Sequence, residues 1–141
     1  MRPHRSSHRR RRGFSLIEVI VAVTIIAIMA AVAIPRLTRF IGSAKEKRAK
    51  SEVAQLAQQV RLYMTDYGMS TVPDDFELIL LVEGEDPYLE SESALEDPWG
   101  HPYELRIPGD VNLDFDVVSL GADGQVAGEG ENADVIHGAK D

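Results

Sequence analysis

Asp123, Glu129, Glu131 and Asp134 stand in the segment 119–134 among Gly121, Gly124, Gly128 and Gly130. Acids at that density can hold a hard cation: Ca²⁺ takes about six to eight oxygens, and glycines let backbone carbonyls turn inward to supply some of them. The spacing does not fit an EF-hand, and composition alone equally describes an acidic, solvated surface loop. Other chemistry is poorly supported. The chain has no Cys, which excludes a disulfide scaffold, a zinc knuckle and a thiol nucleophile. His4 and His8 lie near the N-terminus, and His101 and His137 are too few for a convincing zinc site. No Ser/His/Asp order, phosphate loop or paired-carboxylate cleft stands out, so an enzyme is not expected. Trp99, in Asp97-Pro98-Trp99-Gly100, is expected to plug a small core from a turn rather than to form a binding platform.

A second chemistry lies near the start, where Arg11-Arg12-Gly13-Phe14-Ser15-Leu16-Ile17-Glu18 leads into an apolar run. Residues 14–34 contain only Ser15, Glu18 and Thr24 as polar residues. As a helix rising ~1.5 Å per residue, the run is long enough to cross ~30 Å of hydrocarbon. Three readings compete: a secretory signal cut after Ala33, a plain membrane anchor, or a leader cut between Gly13 and Phe14 that leaves the run on the mature chain. Glu18 discriminates between them. A carboxylate inside a spanning segment costs about 2.5–3.5 kcal/mol and asks for a partner. Cutting after Gly13 frees the Phe14 amine one helical turn from Glu18, and stacked copies can neutralise each other's charges.

The 141 residues allow one modest domain with an appendage, and their net charge of −8 hides a segregation. Residues 1–13 hold six Arg and no acid, while residues 36–50 hold Arg36, Arg39, Lys45, Lys47, Arg48 and Lys50 against Glu46 alone. Residues 51–141 hold 21 acids against Arg61, Arg106 and Lys140. So acidic a body is a poor nucleic-acid binder. The basic stretch 36–50 reads either as a solvated helix face or as a surface that meets the acidic body of a neighbouring copy.

The elements that position these groups follow from periodicity. Val53, Leu56, Ala57, Val60, Tyr63, Met64 and Tyr67 form an apolar stripe at helical spacing. Residues 14–67 thus read as one long helix, kinked at Pro35 and stopped near Gly68. Its first half is apolar all round and needs lipid or copies of itself; its second half is amphipathic. Residues 75–82 read as a short helix with Phe76, Ile79 and Leu80 on one side. Residues 103–107 and 113–118 read as antiparallel strands, the second with clean alternation, and 134–136 as a last extended segment. The expected fold class is α+β: a long N-terminal helix on a small antiparallel sheet that cannot build a core without it.

Residues Arg11–Ala22 closely resemble the prepilin processing motif, with Gly13, Phe14 and Glu18 at its fixed positions, which places the chain with type IV pilin-like subunits. Further on, Asp86-Pro87-Tyr88-Leu89, Asp97-Pro98-Trp99-Gly100-His101-Pro102-Tyr103, Pro108-Gly109, Ser119-Leu120-Gly121-Ala122-Asp123-Gly124 and Gly128-Glu129-Gly130-Glu131-Asn132-Ala133-Asp134-Val135 follow in order. In this combination the chain resembles the major pseudopilins of type II secretion, the general secretion pathway protein G family, from Gly13 to Val135. The resemblance implies a leader at 1–13, a transmembrane and polymerisation helix at 14–35, its amphipathic continuation at 36–67 and a periplasmic body at 68–141. It implies cleavage between Gly13 and Phe14 by a membrane prepilin peptidase that then N-methylates Phe14, with Glu18 serving assembly. It implies a homopolymer, the pseudopilus, that drives folded proteins through the outer membrane. Its partners would be minor pseudopilins, an inner-membrane assembly platform and inner-membrane lipid, with no nucleic acid. It also implies a structural Ca²⁺ held by the side chains of Asp123 and Glu131 and the carbonyls of Leu120 and Gln125, with Ser119 and Asp134 as further members. Glu131 occupies the place of an Asp usual in the family. Basic residues flank the apolar run on both sides, so charge alone does not set topology; the leader must face a cytoplasmic peptidase, which puts the body outside. The alternative is a type IV pilin for adhesion, motility or DNA uptake. A secreted acidic binding protein cut after Ala33 is a third reading.

Overall fold

A computed structural model describes residues 13–139. Leader residues 1–12, with His4 and His8, lie outside the described residues. One α-helix, α1 (Leu16–Asp66), runs through Pro35. Two compact units divide the chain between Thr38 and Arg39.

The first unit holds the apolar start of α1. Ser15 precedes the helix, and its carbonyl accepts the N–H groups of Glu18 and Val19 at 3.1 and 3.2 Å. The Ser15 N–H in turn points at Glu18 Oε2 over a long 3.4 Å. Ser-x-x-Glu is the signature of a capping box, in which the acid at the third helical position covers an orphan N–H. Beyond it the large apolar side chains from Leu16 to Leu37 are exposed.

The second unit is built on the rest of α1. The stripe docks as the periodicity requires: Ala49, Val53, Leu56, Ala57, Val60 and Met64 are buried and form one core with Phe115, Val117 and Val135. Full burial of each larger apolar side chain here stabilises by about 1.5–3 kcal/mol. The stripe ends earlier than expected, because Tyr63 is half-buried and Tyr67 is exposed. The stop is a Schellman motif. Gly68, at φ 64°, lets the Met69 N–H reach the Met64 carbonyl at 2.8 Å and its own N–H reach Thr65 O at 3.2 Å.

The sheet has three antiparallel strands in chain order: β1 (Glu104–Arg106), β2 (Asp116–Ser119) and β3 (Val135–Ile136). Leu105 pairs with Val117, and Val118 pairs with Ile136. Two expectations need correction. Residues 75–82 do not form an α-helix; a 3-10 helix spans Leu78–Leu81, and its three-residue turn buries Leu78 and Leu81 rather than Ile79 and Leu80. The middle strand is shorter than 113–118 at its start and does not alternate, since all four of its residues are buried. The polar members of β2 are covered too, Asp116 by the 110–112 loop and Ser119 by Asp97.

Asp116 organises that loop. Its carboxylate accepts N–H groups of Asp110 (2.6 Å), Val111 (2.8 Å) and Asn112 (3.0 Å), and the Asn112 side-chain amide at 2.7 Å. Burial raises its pKa, but the hydrogen bonds together outweigh burial and leave it lowered from 3.8. Gly109 is required by this crowding, because a Cβ there would lie 2.8 Å from Asp116 Cγ. A second polar tie joins helix and body: Tyr103 Oη donates to Glu52 Oε2 at 2.7 Å, and Arg48 Nε donates to Glu52 Oε1 at 2.7 Å. Burial, then the bond to Glu52, raises the Tyr103 phenol above its ordinary range.

Candidate functional site

The helix start and the acidic loop belong to different units, and each is built by its own neighbours. At the start, Gly13 precedes Phe14, whose side chain is 83% exposed, so the Gly13–Phe14 bond lies outside regular structure. Glu18 is exposed at the third helical position, four residues after Phe14, where it serves the capping box. The described residues hold one helix long and apolar enough to cross a membrane, and this is its first half.

The acidic loop is anchored by a turn that precedes it. Asp97 is buried; its Oδ1 accepts the N–H groups of Trp99 (3.0 Å) and His101 (2.9 Å), and its Oδ2 accepts the Ser119 hydroxyl at 2.6 Å. Trp99 is half-buried and packs against the core, as a turn-borne plug would. His101 Nδ1 lies 3.0 Å from the Gly121 carbonyl, which accepts its proton. Its ring also lies against Gly124, where a Cβ would come within 3.1 Å of Nε2. The Ala122 N–H closes the loop on the Glu131 carbonyl at 2.8 Å.

The residues expected to bind a cation take separate roles. Asp123 is exposed and its Oδ1 accepts the Gln125 N–H at 3.1 Å. Ser119 spends its hydroxyl on Asp97 and accepts the Gly121 N–H at 3.3 Å. The Glu131 carboxylate lies against Gly42 of α1, filling the space a Cβ would take. Asp134 Oδ2 stands 3.6 Å from an Arg106 Nη, while its Oδ1 is buried with no hydrogen-bond partner. Leu120 is half-buried and Gln125 exposed. Among the described residues no three acids or histidines stand close enough to hold a metal. The side chains therefore do not form a carboxylate cage.

The sequence reading assigned none of these side-chain roles to Ser15, Asp97, His101 or Asp116. The Ser-x-x-Glu spacing could have revealed the first. Asp followed by Pro-x-Gly is a turn signal for the second. His101 carries no local signal, since its ring bonds a carbonyl twenty residues on, and Asp116, though its donors lie four to six residues back, sits in no standard turn motif.

An apolar helix start behind Gly-Phe and a helix-backed three-stranded sheet define a pilin-like subunit. Comparison narrows the class. Residues 36–138 match the family described as type II secretion system (T2SS), protein G, and residues 8–34 match the prokaryotic N-terminal methylation motif. The type II secretion system core protein G of Vibrio cholerae is 33% identical over 134 residues, covering 90% of this chain and 91% of the relative. That of Pseudomonas aeruginosa is 31% identical over 137 residues (90% and 94%), and that of Xanthomonas campestris 30% over 128 residues (87% and 87%). The chain belongs to the type II secretion system protein G family, whose members are structural pseudopilin subunits and not enzymes. The type IV pilin reading is not favoured.

Proposed function

We propose that this chain is processed between Gly13 and Phe14 by a prepilin peptidase, N-methylated at Phe14, and polymerised into a pseudopilus. Before assembly it is held by α1 in the inner membrane as a single-pass protein, with the body from residue 68 in the periplasm. Polymerisation on an inner-membrane platform, with minor pseudopilins as further partners, would let the growing filament drive folded proteins outward. The observation that carries this reading is the exposed apolar first half of α1, which nothing in its own chain covers among the described residues. Such a surface needs lipid at first and copies of itself afterwards. Glu18 supports the second requirement, because a carboxylate in hydrocarbon asks for a cation and the freed Phe14 amine is one.

The acidic loop is proposed to take a Ca²⁺ as a structural ion. Asp123 and the carbonyls of Leu120 and Gln125 would hold it, with Ser119, Glu131 and Asp134 as further candidates; Glu131 would first have to turn away from Gly42. The unpartnered, buried Asp134 Oδ1 and the left-handed backbone at Gly121, Gly124, Ala127, Gly128 and Gly130 favour a loop that gains from a bound cation.

The decisive experiment is the N-terminal residue and mass of the mature protein. A chain starting at methylated Phe14 is expected, and Gly13→Leu should leave the uncut precursor in the membrane. A mature start at Ile34 would overturn the reading.

A further inference from the structure

The apolar stripe of α1 does not end in the core; its last ring leaves it. Tyr67 is 63% exposed and stacks on Tyr63, with ring centroids 4.4 Å apart and planes at 23°. Tyr88 approaches Tyr63 from the body at 5.4 Å and donates its hydroxyl to Asp66 Oδ2 at 2.8 Å. That bond, the largest influence, helps push the Tyr88 phenol up to about 12. The three rings line a groove of about 520 Å³ whose rim carries Glu83, Glu85 and Asp86. All three acids are exposed, none forms an ion pair among the described residues, and no Lys or Arg lines the groove. Aromatic faces behind a ring of carboxylates recognise Lys and Arg side chains, which gain from both.

We infer that this groove receives the basic stretch of a second copy of the chain through Arg39 and Lys47 on α1, which lie about 80° apart around the helix. The inference rests on the filament reading and names one of its contacts. Charge complementarity selects the occupant. Arg48 is committed to Glu52 at 2.7 Å and Lys50 to Glu46 at 3.2 Å. Arg39 and Lys47 are exposed and form no ion pair among the described residues, whereas the half-buried Lys45 lies on the opposite face of α1 from Lys47. The stretch cannot serve its own groove. Within the second unit, Lys47 precedes Tyr63 on the same continuous helix by 16 residues, or ~24 Å at ~1.5 Å per residue. The two halves of the contact are different surfaces, so it is heterologous. Each copy offers a groove to one neighbour and a basic stretch to another, and such contacts propagate rather than close in pairs. Neighbours joined this way are offset along the helix axis by about that same distance.

The absence of Cys from the chain makes the contact directly testable. Full-length protein carrying both Lys47→Cys and Glu85→Cys, assembled and treated with a short bis-maleimide, should run as a ladder of multimers beyond dimer. Lys47→Cys paired with Gln125→Cys should stay largely monomeric. Glu83→Lys, Glu85→Lys and Asp86→Lys together should abolish filaments, and adding Arg39→Glu and Lys47→Glu should restore them. All of these positions are exposed, so folding should persist. Wild-type filaments with no ladder from the Lys47/Glu85 pair would overturn this contact and leave the filament reading intact. A wild-type chain that never polymerises would remove both.

Discussion

The Ser119 hydroxyl donates a 2.6 Å hydrogen bond to Asp97 Oδ2, and both side chains are buried. The bond fastens the end of β2 to the turn that holds Trp99 and His101, and the acidic loop departs from this joint. Ser119→Ala leaves a buried carboxylate short of one donor, which should cost about 2 kcal/mol. Urea unfolding should show a lower midpoint at unchanged slope. An unchanged midpoint would mean that the joint adds nothing to stability.

Acid should loosen the C-terminal strand through His137. Its Nδ1 accepts the Val117 N–H at 2.9 Å, and the His137 backbone N–H donates to the Val117 carbonyl at 3.1 Å. Burial first, then Arg61 on α1, lowers its pKa from 6.5 against the opposing pull of Asp116. As pH falls, the unfolded chain takes up the proton first, near the ordinary His value. Stability is therefore full above that value and is lost as pH drops through it toward the lowered native pKa. Asp116, itself held low, contributes only at more acidic pH. The melting temperature should fall between roughly pH 7 and pH 5, and His137→Asn, which keeps an acceptor without titrating, should flatten that slope. An equally steep slope in the variant would assign the effect to other groups.

Glu18 has two separable duties, capping α1 and offering a charge. Glu18→Leu removes a desolvation cost of about 2.5–3.5 kcal/mol from a spanning segment, so insertion and cleavage should proceed normally while filaments fail. Glu18→Gln retains an oxygen for the Ser15 N–H but loses the charge. It should assemble as poorly as the Leu variant when filaments are counted by electron microscopy. Full assembly of the Gln variant would show that the cap, not the charge, is what the polymer needs.

Calcium should raise the melting temperature of the detergent-solubilised chain relative to chelator. An ion at a hundred times its Kd adds about 2.7 kcal/mol to the form that binds it. Magnesium should substitute poorly, because it demands a tighter octahedron. Asp123→Ala should abolish the increment, and Glu90→Ala, an acid outside the loop, should not. Equal melting with calcium and with chelator would return segment 119–134 to a solvated acidic surface.

The elements with a strong local period were legible: the α1 stripe from Val53 to Met64 and the stop at Gly68 can be read from spacing alone. Where side-chain contacts or packing overrode the local pattern, reading failed. Asp116 looks like the outward member of an alternating strand, yet the chain folds its own 110–112 backbone over it, and four donors replace water. Leu78 and Leu81 are three apart, a spacing that serves either kind of helix, and only packing chose the tighter one. In the acidic loop, composition located the acids but not their aims. Glu131 faces α1 and Asp134 faces Arg106, partners far away in sequence.

The Gly42 notch under Glu131 also constrains how this chain can change. In a helix interior Ala is better than Gly by about 1 kcal/mol, so Gly42→Ala would ordinarily be a gain. Here a methyl group would meet the Glu131 carboxyl, the far end of an exposed and flexible side chain that can turn aside to admit it. The two positions are coupled all the same: Ala at 42 would displace the Glu131 carboxylate from the helix, so a substitution that firms α1 also changes where the acidic loop presents its charge.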